Sequence, residues 1–154
     1  MQEMNQARFA EGDARMNFLP MLFSSDFLRS EVNVYHYAER FLEDYKGGFW
    51  EFVQLPNGGG FIQPPGKEYR FQNPENWTDM IVSAEAAGII LTALVLNHRS
   101  WMYSHHDQEE LCAHFCERYE QLMGKRLTCT VLRFIGSAHF TLTAQVMLVS
   151  SNRL

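Results

Sequence analysis

Lysine and arginine are sparse in this chain and never gather: 13 basic and 18 acidic residues are spread over 154 positions, for a net charge of -5. No basic block is available to track a phosphate backbone, so tight direct DNA binding is not expected. The acids are too few for the opposite role. Duplex DNA carries one charge per ~1.7 Å, and a ten-base-pair decoy would want roughly twenty clustered negative charges. Cysteine is scarce as well. Cys112, Cys116 and Cys129 make an odd number, and residues 1–6 lack a basic region followed by an apolar run, so reduced thiols and a cytoplasmic location are expected. The longest apolar run, residues 86–96, falls well short of the ~20 residues that cross a bilayer, which points to a buried helix and no membrane role.

What remains is the composition of one globular domain, long enough to bury roughly two-thirds of its unfolded surface. Residues 1–14 are polar and poorly periodic, and read as a flexible terminus. Residues 15–23 are apolar but interrupted by Pro20, which suits an irregular stretch or a short helix. Over residues 25–42, Phe27, Leu28, Val32, Tyr35, Ala38, Phe41 and Leu42 fall near helical spacing, with Ser25 or Asp26 available as N-cap. A β-hairpin is predicted from about Gly48 to Phe61, because Asn57-Gly58-Gly59-Gly60 interrupts alternating aromatic and apolar residues with types that tolerate a positive φ. Short strands follow over residues 68–71 and 77–82. Ser83 then caps a helix from Ala84 to about Tyr103, whose Ala-rich first turns permit close approach to the sheet. A third helix runs from about His106 to Met123, and residues 127–135 and 140–149 read as a terminal hairpin. The expected fold is α+β: a single domain over residues 15–154, with an antiparallel β-sheet, about three helices packed on it, and an atypical segment at 125–154.

Few residues suggest chemistry. His105, His106, Cys112, His114 and Cys116 are the best local case for a metal, yet on one helix His105 lies roughly 10 Å along the axis from Cys112. Tetrahedral ligands sit about 2.0–2.3 Å from the ion, so this helix offers at most two and a distant His98 would have to join. Core thiols beside Phe115 and solvated histidines explain the same residues. Cys112 with His114 lacks the motif and the helical geometry of an activated nucleophile. The Asn57 to Gly60 run lacks the Lys-Ser/Thr of a phosphate loop and leads into a strand. Phe49, Trp50, Phe52 and Phe61 could stack on bases, but only Lys46 and Lys67 are near, and alternation turns about half of the rings inward. Glu43, Asp44 and Glu51 read as solvated acids. No catalytic residue, metal or cofactor is expected.

Four blocks nevertheless form an ordered pattern. Tyr45-Lys46-Gly47-Gly48-Phe49-Trp50 runs into Leu55-Pro56-Asn57-Gly58-Gly59 and an aromatic strand ending at Pro64. Ahead of it stand Arg15-Met16, Phe18, Pro20 and Phe23. After it come Ser83-Ala84-Glu85-Ala86-Ala87-Gly88-Ile89 and, more weakly, Arg118-Tyr119-Glu120-Gln121-Leu122. This pattern resembles the ArdB/KlcA antirestriction family. Pro56 replaces a usual Ser, Gly60 lengthens the turn, Ile81-Val82 precede Ser83 in place of Met, and the tail after Lys125 has no counterpart. The resemblance implies an accessory protein of mobile genetic elements that protects incoming DNA from type I restriction endonucleases. The family is not known to be enzymatic, and the expected action is inhibition without catalysis, through protein contact with the restriction-modification machinery or with a host factor linked to it. Tyr45, Trp50, Asn57, Gly58 and Gly59 are the candidate interaction surface. A metal-dependent or nucleic-acid-processing enzyme of a mobile element is the alternative, and a plain interaction module a third.

Overall fold

The computed structural model describes residues 7–75 and 77–123. The terminal hairpin expected over residues 127–149 lies outside them. Strand β1 (Arg8–Phe9) pairs antiparallel with β2 (Glu51–Gln54), Phe9 standing opposite Val53. Helix α1 (Gly12–Phe23) follows at once. The reading of residues 8–14 as a flexible terminus is therefore corrected: Ala10 is buried, and its N–H donates to the Phe52 carbonyl at 2.7 Å. Pro20 sits inside α1, where it removes one backbone bond. Three buried side chains, Phe18, Leu22 and Phe23, hold the helix despite that loss.

A 3-10 turn, Ser24–Asp26, leads into α2 (Phe27–Phe41). The buried stripe of α2 is Ser30, Val34, Ala38 and Phe41. Leu28 and Val32, expected on the core face, are exposed instead. Helical spacing defines several faces, and the neighbours decide which one is covered. Asp26 stands at the N-cap position without making a side-chain cap bond, because its carboxylate is engaged elsewhere. It accepts from Arg99 Nε at 2.5 Å and from the Tyr103 hydroxyl.

The predicted hairpin is present: β2 pairs with β3 (Gly60–Gln63) through Phe52 opposite Ile62 and Val53 opposite Phe61. A second antiparallel hairpin, β4 (Glu68–Asn73) with β5 (Thr78–Ser83), forms its own sheet. The antiparallel pairing is thus divided between two sheets, separated by the Pro64-Pro65-Gly66 break, where proline supplies no ladder donor. Ser83 caps α3 (Ala84–His105), its hydroxyl accepting from the Ala86 N–H at 3.0 Å. Helix α3 is buried almost all round from Ala84 to Leu96, so it is the central element of the core. It packs against β3 on one side, where the Ile62 N–H donates to Thr92 Oγ1 at 3.2 Å. Helix α4 (Glu109–Met123) returns along it, placing the Tyr103 and Phe115 rings 5.5 Å apart. The class is α+β as expected, and α1 raises the count among the described residues to four α-helices. No helix among them is long and apolar enough to cross a membrane.

Candidate functional site

The β2–β3 hairpin is where the four sequence blocks meet. Arg15, on α1, donates from Nη2 to the Trp50 carbonyl at 2.7 Å. Its guanidinium lies over two rings, 4.2 Å from the Phe49 centroid and 4.1 Å from that of Phe52, with Glu51 at 3.8 Å. Cation and aromatic faces thus clamp the strand entering the hairpin to the first helix. Phe18, one turn on, stacks on Phe52 with centroids 5.0 Å apart.

Just before β2, Trp50 is only 3% exposed. Its indole N–H donates to the Tyr45 hydroxyl at 3.0 Å, and the Tyr35 and Tyr45 rings lie 5.2 and 5.7 Å away. Burial, together with donation to Glu31 at 2.5 Å, pushes the Tyr35 phenol well above its ordinary range. Trp50 therefore cannot itself touch a partner; it positions Tyr45, which is half-buried, and Phe49, which is exposed.

At the far end of β2 the turn is tied to the last turns of α4. Asn57 Nδ2 donates to the Gln121 carbonyl at 2.7 Å, and Gln121 Nε2 returns a bond to the Asn57 carbonyl at 3.2 Å. Asn57 Oδ1 accepts from the Gly59 N–H at 3.2 Å. Gly58 holds a φ of +101°, and a Cβ on Gly59 would fall 2.8 Å from Gln121 Cβ. Only glycine lets the turn twist and sit this close to the helix. Arg118 completes the clasp, donating to the Gly58 carbonyl at 2.8 Å, to Gln121 Oε1 at 2.9 Å and to the Met21 carbonyl at 3.1 Å. One turn back, His114 Nε2 lies 3.1 Å from the Leu22 carbonyl. A carbonyl only accepts, so that nitrogen carries the proton.

The five residues expected to share one surface thus fall into two groups at opposite ends of β2: Tyr45 with Trp50, and Asn57 with Gly58 and Gly59. Arg15 and Arg118 were legible as motif residues, but their roles appear only when the blocks are brought together. His114 is engaged with α1 and is not a solvated histidine. Cys112 and Cys116 lie a turn apart, partly buried and exposed respectively, and burial with the neighbouring Cys116 raises the Cys112 thiol. Among the described residues no three His, Cys, Asp or Glu side chains converge as metal ligands. Trp77, read from sequence as the start of a strand, is a turn residue before β5.

The clasp can be tested by itself. Arg118→Ala should lower stability by about 1–3 kcal/mol, the scale of hydrogen bonds to a charged group, with helix content unchanged by circular dichroism. Arg118→Lys should recover only part of it, because an ammonium lacks the planar fork that reaches three acceptors. Urea midpoints equal to wild type in both variants would show that the clasp is incidental.

A protein-family model for antirestriction protein matches residues 43–130, running beyond Leu122, where the motif resemblance ends. The chain belongs to the antirestriction protein family. YubI of Escherichia coli K12, an antirestriction protein by name, is 50% identical over 97 residues, 63% of this chain and 67% of that protein. Antirestriction protein KlcA of Escherichia coli is 38% identical over 94 residues, 58% of this chain and 64% of its own length. The solved structure of the KlcA and ArdB proteins superposes with a TM-score of 0.65 at 29% identity, covering 77% of this chain and 83% of that one. Those proteins show antirestriction activity against Type I DNA restriction systems in vivo but not in vitro.

Proposed function

We propose that this protein protects incoming mobile-element DNA from type I restriction endonucleases, without catalysis, through contact with a protein in the cytoplasm. The partner is the restriction-modification machinery or a host factor linked to it. The observation that carries this reading is where the family's signature side chains are spent. Arg15, Asn57 and Arg118 donate to main-chain carbonyls, and Trp50 lies under two tyrosines. The motif is an internal brace, so recognition falls to the surface that the brace holds rigid. The likeness to proteins active in vivo but not in vitro supports a role for a cellular component beyond the endonuclease itself.

Expression in cells with an active type I system should raise the plating efficiency of unmodified phage while leaving methylation intact. A decoy in the shared DNA groove would impair cutting and methylation together, whereas contact specific to the cleavage pathway spares methylation. Weak net charge favours the second outcome. The purified protein should also show no tight duplex-DNA binding at physiological salt. Unchanged plating efficiency with soluble, folded protein would sink the reading.

A further inference from the structure

The turn between β4 and β5 holds the most exposed large hydrophobic side chain among the described residues. Trp77 is 91% exposed and has a φ of +60°. Both features work against it as a structural residue. A positive φ crowds the Cβ of any side chain; glycine has none, and asparagine offsets the cost with a local hydrogen bond that an indole cannot make. An indole in water gains nothing from burial. A residue kept in a strained and solvent-facing conformation is a reason to look for what it contacts.

Ion pairs and hydrogen bonds flank the turn that carries Trp77. Arg70 grips Asp79 with a two-pronged pair, Nε and Nη2 each donating at 2.8 Å, and reaches Glu43 at 3.1 Å. That clamp keeps the Asp79 carboxyl below its usual range. The Asp44 carboxylate accepts from the Arg70 N–H at 3.2 Å, and Arg40 on α2 holds Glu75 at 2.7 Å. These bonds tie the tip to the end of α2 and to the turn after it. On the same hairpin Ile81 is also exposed. The ion pairs bring three carboxylates, Glu43, Glu75 and Asp79, and two guanidinium groups to this face, and Asp44, bonded to the Arg70 main chain, adds a fourth carboxylate, so it carries negative charge around an aromatic projection.

We propose that the β4–β5 tip, with Trp77 as its anchor, is the docking surface for a protein partner that presents a basic face with an apolar pocket. Tryptophan is enriched at the energetic centres of protein interfaces, where it fills a desolvated pocket inside a polar rim. The rim here is acidic and braced, which steers a basic partner and limits the ordering cost on contact. A phosphate backbone or an anionic bilayer would be repelled by the same carboxylates. The assignment rests on the protein-contact reading above and names the surface that makes the contact.

Two measurements test it. In the plating assay, Trp77→Ala should lose tenfold or more of the protection with an unchanged melting midpoint, while Leu28→Ala, at another exposed apolar site, retains it. In parallel, p-benzoylphenylalanine placed at position 77 should photocrosslink in restricting cells to one protein, identified by mass spectrometry, and at position 28 should not. Binding of that protein, once purified, should weaken at least tenfold with rising salt and with Glu43→Lys plus Glu75→Lys. Full protection by Trp77→Ala, equal crosslinking from both positions, or an adduct of nucleic acid or lipid would overturn the assignment. Should wild type itself give no protection, the antirestriction reading fails and crosslinking alone decides the surface: an adduct specific to position 77 sustains it, and its absence refutes it.

Discussion

Replacing Asp26 with alanine is expected to destabilise the protein by about 3–5 kcal/mol, the range for stripping one partner from a buried ion pair. The Arg99 side chain is 7% exposed and that of Asp26 14%, so solvent screens the pair little. Arg99 Nη2 also donates to the Tyr103 hydroxyl at 3.2 Å, and that hydroxyl donates to the Asp26 carboxylate. Burial, then its bond to Asp26, holds the Tyr103 phenol above its ordinary range. Removing the carboxylate leaves a guanidinium enclosed with one neutral partner. Asp26→Asn keeps an acceptor but not the charge, and should fall between wild type and alanine. Combining Asp26→Ala with Arg99→Met should restore much of the loss, because it removes both charges from the core. Urea unfolding of the four proteins checks this. Asp26→Ala within about 1 kcal/mol of wild type would mean the charge finds water, against its observed burial.

Gly88→Ala should cost about 2 kcal/mol net, the overpacking penalty exceeding the gain in helix propensity. A Cβ at this position would lie 2.5 Å from the Ile62 carbonyl oxygen and 2.8 Å from Gln63 Cα. Both are main-chain atoms of β3, so relief requires moving the whole strand from α3. That movement would stretch the bond from the Ile62 N–H to Thr92 Oγ1, one turn further along α3. Gly88→Val adds two methyl groups at the same contact and should cost more. An alanine variant as stable as wild type, by urea midpoint at constant slope, would show that the gap between helix and strand is not set here.

Several features are legible in the sequence itself. Asn57 to Gly60 marked the hairpin because only a few residue types allow its turn, and Ser83 marked the start of α3 because a hydroxyl there satisfies an orphan amide. Others were legible as names without roles. Arg118 belongs to a motif, yet nothing near it in sequence says that it reaches Gly58, 60 residues away. The candidate site depends most on contacts between distant segments. Alternation alone leaves open whether Trp50 points inward or joins the candidate interaction surface; tyrosines from α2 and from the turn after it enclose its ring.

The sequence by itself determined most of the local elements and the family. Turns, caps and charge distribution are set within a few residues or by simple addition along the chain. Tertiary structure decided which side of each element is covered. Asp26 could cap α2 by its position, but Arg99, 73 residues on, claims its carboxylate. Leu28 and Val32 match the helical period and stay in solvent, while Ser30 and Val34 face the core. Trp77 has the composition of a strand residue and projects from a turn. The physical reason is common to all three: burial and electrostatic pairing depend on what lies opposite in space, and that is assembled from segments far apart in the chain.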